Sequence, residues 1–270
     1  MNAHSEIDAT LVRREDDTGI ALLVLDRPAA RNALSDATIA SLHAHLDAIA
    51  TDKSVRCVVL AAEGPAFCAG HDLKEMTARR ADSDGGAAYY LDLMTRCSAM
   101  MQAIVALPQP VIAAVEGVAT AAGCQLVASC DLAIAGADAR FGTPGVNIGL
   151  FCSTPMVALS RNVSRKHAME LLLAGELVGA EDAARMGLVN RVVEAGGARA
   201  EALALAAKIA AKSTRTVSIG KRAFYAQAEM GLADAYAYAA QVMAQNMMTK
   251  DAAEGIGAFV EKRKPIWTDA

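Results

Sequence analysis

Apolar and polar positions change period along this chain, and the changes mark its elements. Residues 20–26, Ile-Ala-Leu-Leu-Val-Leu-Asp, form a short apolar run closed by Arg27 and Pro28, the mark of a buried strand feeding a loop. Ser35 then offers an N-cap, and Ile39, Leu42, Leu46 and Ile49 recur at helical spacing as far as Asp52. A second strand is predicted over 55–61, a long helix over about 87–107, breakers at Pro108 and Pro110, and a strand over 111–115. Gly117 follows, with a helix opening near Ala121, then a strand over 132–135 and a loop at 141–144.

Short strands alternating with helices at this spacing predict an α/β fold with parallel strands. From about residue 155 the strand signals fade. A short helix over 181–187 ends at Gly187, and Ala-rich helical segments span 198–212, 214–230 and 232–249, separated by Ser213-Thr214 and by Gly231. This divides the chain into a core over 1–197 and a helical region over 198–270 with no sheet of its own to cover. Such a region packs on a neighbour, another subunit included. The stretch 111–135 is rich in small apolar residues but is interrupted by Glu116, Gln125 and Asp131, so it reads as buried core and not as a membrane span.

Composition narrows the function classes. A chain of 270 residues with a net charge of −4 and no basic run offers no field for nucleic acid, and a polyphosphate ligand would need a few local cations. Residues 1–8 lack a basic and apolar leader, which predicts a cytosolic chain. Cysteines 57, 68, 97, 124, 130 and 152 lie singly in apolar contexts, so neither a disulfide framework nor a metal site is expected. His43 and His45, two apart on the first helix, do not face each other and read as surface residues.

Two segments carry chemistry. Phe67-Cys68-Ala69-Gly70-His71-Asp72-Leu73-Lys74 and Gly117-Val118-Ala119-Thr120-Ala121-Ala122-Gly123-Cys124-Gln125-Leu126 are both small-residue loops running into helical patterns. Two such loops can aim two backbone N–H groups at one carbonyl oxygen, an oxyanion hole.

With Leu25-Asp26-Arg27-Pro28, Arg31-Asn32-Ala33-Leu34, Ala114-Val115-Glu116-Gly117, Cys130-Asp131-Leu132-Ala133 and Phe259-Val260-Glu261-Lys262-Arg263-Lys264, these segments resemble the enoyl-CoA hydratase/isomerase (crotonase) superfamily over essentially the whole chain. Residues 141–155 and 262–267 are similar to one branch of it. The resemblance implies a ClpP-like ββα spiral core, a C-terminal helical trimerisation region, homotrimers or homohexamers, and an acyl-CoA ligand with no cofactor beyond coenzyme A itself. It puts the oxyanion donors on the backbone of His71 and Ala122. It also implies that Ala69, His71, Asp72, Leu73 and Lys74 line the CoA path, with Lys262 and Phe259 reaching it from the C-terminal helix. Arg27 and Arg31 would be phosphate contacts or solvated charges.

The family's two proton-transferring glutamates fall on Gln125 and Gly145, and a third position that carries aspartate in some members falls on Ser153. A glutamine amide can hold water but cannot take its proton, and glycine can do neither. His71 is left as a substrate contact or proton carrier, and Cys152, beside the implied acyl pocket, as packing or a nucleophile. The expected function is an acyl-CoA-binding, nominally enoyl-CoA hydratase (lyase) protein of fatty-acid or acyl-CoA metabolism with diverged or weak activity. The alternatives are a non-catalytic acyl-CoA-binding protein and a thioesterase or decarboxylase.

Overall fold

The structure is a computed structural model that describes residues 10–269, so the reading of residues 1–8 lies outside it. The chain runs through β1 (Val12–Asp17), β2 (Ile20–Leu25), α1 (Asp36–Thr51), β3 (Cys57–Ala62), α2 (Leu73–Ala78), α3 (Ala87–Ala106), β4 (Val111–Val115), β5 (Val118–Thr120) and α4 (Ala122–Ser129). It continues through β6 (Leu132–Gly136), β7 (Arg140–Gly142), α5 (Pro155–Asn162), α6 (Arg165–Ala174), β8 (Val178–Gly179), α7 (Ala180–Met186) and β9 (Arg191–Val193). Four helices close it: α8 (Ala198–Ala210), α9 (Thr214–Ala228), α10 (Leu232–Met247) and α11 (Lys250–Val260). The larger sheet has the order β1-β2-β3-β4-β6-β9, parallel except for the β1–β2 hairpin, and the smaller has β5-β7-β8.

Successive turns of the chain repeat one path: a strand in the larger sheet, an extended segment in the smaller one, then a turn toward a helix. β4 is followed by β5 and α4, and β6 by β7 and the 3-10 turn Pro144–Ile148. After β3 the same step is made by residues 66–68, which bridge to β5 through Ala66 to Gly117 and Cys68 to Ala119. This is a ββα spiral, and it stacks the exits of Cys68, Thr120 and Gly142 side by side.

The central strands β2, β3, β4 and β6 of the larger sheet are buried on both faces, as parallel strands between helical layers must be. Leu23, Leu25, Val58, Leu60, Ala113 and Val115 pack toward Ile39, Leu42, Leu46 and Ile49 of α1 and Met100 and Ile104 of α3. The alternate residues Cys57, Val59, Ala61, Ile112, Ala114 and Ile134 meet Ala198, Ala202 and Ala206, a small-residue stripe that seats α8 on the sheet. The division expected at 197/198 therefore falls at the edge of a packed layer. α8 belongs to the core, and of the four C-terminal helices it is α9 and α10 that have no buried residue.

α9 is tied down by a buried ion pair between Lys221 Nζ and Asp131 Oδ2 at 2.7 Å, with Tyr225 donating to Asp131 Oδ1 at 2.9 Å. The C-terminal end folds back on Asp251, which accepts from Ser213 Oγ, from the Thr268 backbone and hydroxyl, and from Asp269 N.

Several expectations need correction. β1 reads Val-Arg-Arg-Glu-Asp-Asp and shows no apolar period, because as an edge strand it turns mostly charge outward. The loop expected at 141–144 begins inside β7, and the helical half contains the two-residue β8 and the three-residue β9. His45 is not a surface residue. It is 5% exposed, its Nε2 lies 3.0 Å from the Val12 carbonyl, and burial pulls its pKa down. His43 stays outside, 3.9 Å from Asp47.

Candidate active site

The segment 66–72 lies between two partners. On one side Cys68 N–H donates to Val118 O and Thr120 N–H to Cys68 O, both at 3.0 Å. On the other, Ala69 N–H donates to Arg31 O at 3.1 Å, Leu34 N–H to Gly70 O at 2.8 Å and Asp72 N–H to Leu34 O at 3.1 Å. Gly70 C=O and Asp72 N–H thus both face Leu34, so in extended backbone the intervening His71 N–H turns the other way, toward the exit of β5. No hydrogen bond to it is found among the described residues.

At that exit Ala121 N–H donates to Gly142 O at 2.9 Å, and Ala121 itself has φ 51° and ψ −117°, a conformation that costs a non-glycine residue on the order of 1–3 kcal/mol. The turn delivers Ala122 as the first residue of α4, whose opening amides have no carbonyl within the helix to bind. The two loops touch: a methyl on Gly70 (φ +94°) would lie 3.0 Å from Ala121 Cβ and 3.5 Å from Ala122 N. One on Gly123 would lie 2.0 Å from Cys68 O, so glycine alone lets α4 sit against this segment. The segment that carries the unpartnered His71 N–H therefore packs on the turn that opens α4, at the positive end of that helix.

Every residue of α4 is buried, including Gln125, whose Oε1 has no partner and which shares the Ala122 face at i, i+3 spacing. The buried His71 Nε2 also lacks a partner, and burial holds the imidazole pKa down to about 4. It is neutral at pH 7 and far from the range that suits proton transfer there. Burial likewise raises the pKa of the Cys152 thiol, against a hydrogen bond from the Gly145 backbone, so Cys152 is a thiol and not a thiolate. Ser153 is exposed, with its hydroxyl 3.4 Å from Phe151 O.

Gly145 is not an empty place waiting for a side chain. A Cβ there would sit 2.3 Å from Leu150 O and 2.8 Å from Cys152 Sγ. A glutamate at 145 does not fit without a backbone shift, because the Leu150 carbonyl of the following turn stands where its Cβ would go.

Of the implied CoA residues, Arg31 and Ala69 line a pocket of about 340 Å³ with Pro65, Ala66, Val118 and Thr120. Leu73 and Lys74 stand exposed at the start of α2, and Asp72 caps that helix through Lys74 N–H. Arg27 is not a free cation. Its guanidinium donates to Ala33 O at 3.1 Å and pairs with Asp72 at 3.3 Å. Phe259, 85% exposed, and Lys262 lie at the end of α11, and no hydrogen bond or ion pair among the described residues joins them to 66–74. The strain at Ala121 and the tight fit at Gly123 lie within 117–126 but leave no signal in local composition. No three His, Cys, Asp or Glu side chains converge among the described residues, and no helix is long and apolar enough to cross a membrane.

Residues 15–270 match the enoyl-CoA hydratase/isomerase family. The chain is 45% identical to enoyl-CoA hydratase domain-containing protein 3, mitochondrial, of Xenopus laevis, over 99% of this chain and 90% of that one. It is similar to the crystal structure of the human enoyl-CoA hydratase domain-containing protein 3, with a TM-score of 0.91 and 44% identity over 95% of this chain and 100% of that one. A Mycobacterium smegmatis enoyl-CoA hydratase gives a TM-score of 0.91 and 53% identity over 95% of this chain and 98% of that one. The Xenopus laevis relative is mitochondrial by name, which overturns the expectation of a cytosolic chain.

Proposed function

This chain belongs to the enoyl-CoA hydratase/isomerase family, and from that premise we propose that it binds acyl-CoA thioesters, with the thioester oxygen held between the His71 and Ala122 N–H groups. The observation that supports the reading is the packing of Gly70 on the Ala121–Ala122 turn, next to a His71 N–H that has no partner among the described residues. Such donors act on negative charge developing at the carbonyl oxygen, and each is worth about 10²–10³ in rate where chemistry follows. The coenzyme A part would run past Ala69, Leu73 and Lys74, with Arg31 at the rim of the pocket. Phe259 and Lys262 would come from α11 of this or a neighbouring subunit. No cofactor is called for beyond the coenzyme A of the ligand.

Hydration of an enoyl-CoA by two carboxylates is not available here. Gln125 can orient a water by hydrogen bonds, but nothing at 145 can deliver a proton to the α-carbon. Losing one acid–base group costs roughly 10²–10⁴, so crotonyl-CoA hydration should run at least ~10⁴-fold below a relative bearing both glutamates. Mass spectrometry of a panel of acyl- and enoyl-CoA esters tests this, and hydration at ordinary hydratase rates would contradict it.

The second reading, an acyl-CoA-binding protein without catalysis, is favoured by the closed space at Gly145 and the neutral His71. Tight binding with no turnover across the panel would select it. Release of free CoA or of carbon dioxide would instead point to a thioesterase or a decarboxylase, for which carbonyl polarisation does most of the work.

A further inference from the structure

Asn32 is 1% exposed and sits, after Arg31 at φ 50°, in the left-handed region at φ 52°, which asparagine tolerates better than most residues. Its side chain is fully used. Oδ1 accepts from Arg27 N–H at 2.7 Å, while Nδ2 donates to Glu63 O at 2.8 Å and to Ala66 O at 2.7 Å. Glu63 follows β3 and Ala66 opens the segment that leads to His71, so one amide fastens the β2 crossover to the β3 crossover. Arg27 fastens the far end by bridging Ala33 O and the Asp72 carboxylate, the residue next to His71.

We propose that Asn32 and Arg27 are positioning residues for the oxyanion hole, fixing the plane of the Gly70–His71 peptide so that its N–H meets the same oxygen as Ala122 N–H. The proposal rests on the carbonyl-holding role assigned to those two amides. Asn32 holds the start of the segment, Leu34 its middle and Arg27 its end, which leaves the peptide between them no freedom to rotate. The strength of a hydrogen bond falls steeply with misalignment, so loosening either fastening weakens the contact to a carbonyl before it disturbs the rest of the ligand.

The test compares butyryl-CoA with S-butyl-CoA, the thioether that lacks the carbonyl, by calorimetry in the full chain. The infrared stretch of the bound thioester carbonyl is measured in parallel. The wild type should prefer the thioester and lower its carbonyl frequency relative to free butyryl-CoA. In Asn32→Ser the affinity ratio should fall about 2–10-fold, the value of one hydrogen bond, and the frequency shift should shrink with it. Arg27→Lys, which keeps the charge but cannot span both acceptors, should move both readouts the same way.

General loosening of the fold would weaken the two ligands alike and leave their ratio unchanged. If Asn32→Ser does not fold, Arg27→Lys decides alone. Variants that retain the wild-type ratio and shift overturn the inference, whereas a wild type with neither preference nor shift overturns the carbonyl-holding role itself.

Discussion

Burial at two single residues makes opposite demands on this protein. At His71 it excludes charge. The folded imidazole stays neutral down to about pH 4, while an unfolded one takes its proton near 6.5. Between these values the unfolded chain binds more protons, so stability falls as pH drops, by up to about 1.4 kcal/mol per unit, and levels off below 4. His45, also lowered by burial, adds to the same trend. Urea midpoints of His71→Gln between pH 6.5 and 4.5 should therefore show a flatter slope than the wild type, and parallel slopes would refute the assignment. At Gly145 burial excludes atoms. Gly145→Glu forces a Cβ against Leu150 O and should cost about 1–3 kcal/mol or more in a chemical melt. Gln125→Glu combined with it should hydrate crotonyl-CoA no better than Gln125→Glu alone.

The element that most constrains the candidate site is α4, because its first turn carries the amide proposed as a donor and presses on the neighbouring segment. Gly123→Ala would put a methyl 2.0 Å from Cys68 O, where only backbone can yield. We expect a loss of about 1–3 kcal/mol in stability and, as the helix start moves off, loss of the preference for butyryl-CoA over S-butyl-CoA. A variant with wild-type preference would show that the two loops need not touch. The opening of α4 near Ala121 was legible in the sequence, as were α1 with its Ser35 cap, α3 and β4, because each pairs a period with a breaker. β5, β7, β8 and β9 were not, being two or three residues long and held by partners distant in sequence. The choice of His71 and Ala122 as donors comes from the resemblance, since a backbone N–H leaves no mark on residue identity. Nothing in the composition around 145 reported that the chain turns back on itself there.

Across the whole molecule, apolar surface is left over on the C-terminal helices, where Phe224, Leu232, Tyr236, Met243 and Met248 are each more than 60% exposed. Assembly into a trimer or a pair of trimers would cover such a surface, and a sedimentation coefficient of a stable monomer at micromolar concentration would contradict it. The helices must first be held in place, and the buried Lys221–Asp131 pair does this. Lys221→Met leaves the carboxylate buried without its cation and should cost about 3–5 kcal/mol. It should also shift sedimentation toward smaller species and open the 211–214 junction to proteolysis. Unchanged assembly would mean that the pair serves only the core.

The Leu150 carbonyl standing against Gly145 also bears on what this sequence can become. A glycine codon can lie one change from a glutamate codon, but here the main chain occupies the volume the new side chain would need. A route to a proton donor at this position must first re-route the 149–152 turn, and that step gains nothing until the second change arrives. Such a two-step barrier works as a ratchet, so descendants of this sequence are freer to refine a function that does without the acid than to gain one that needs it.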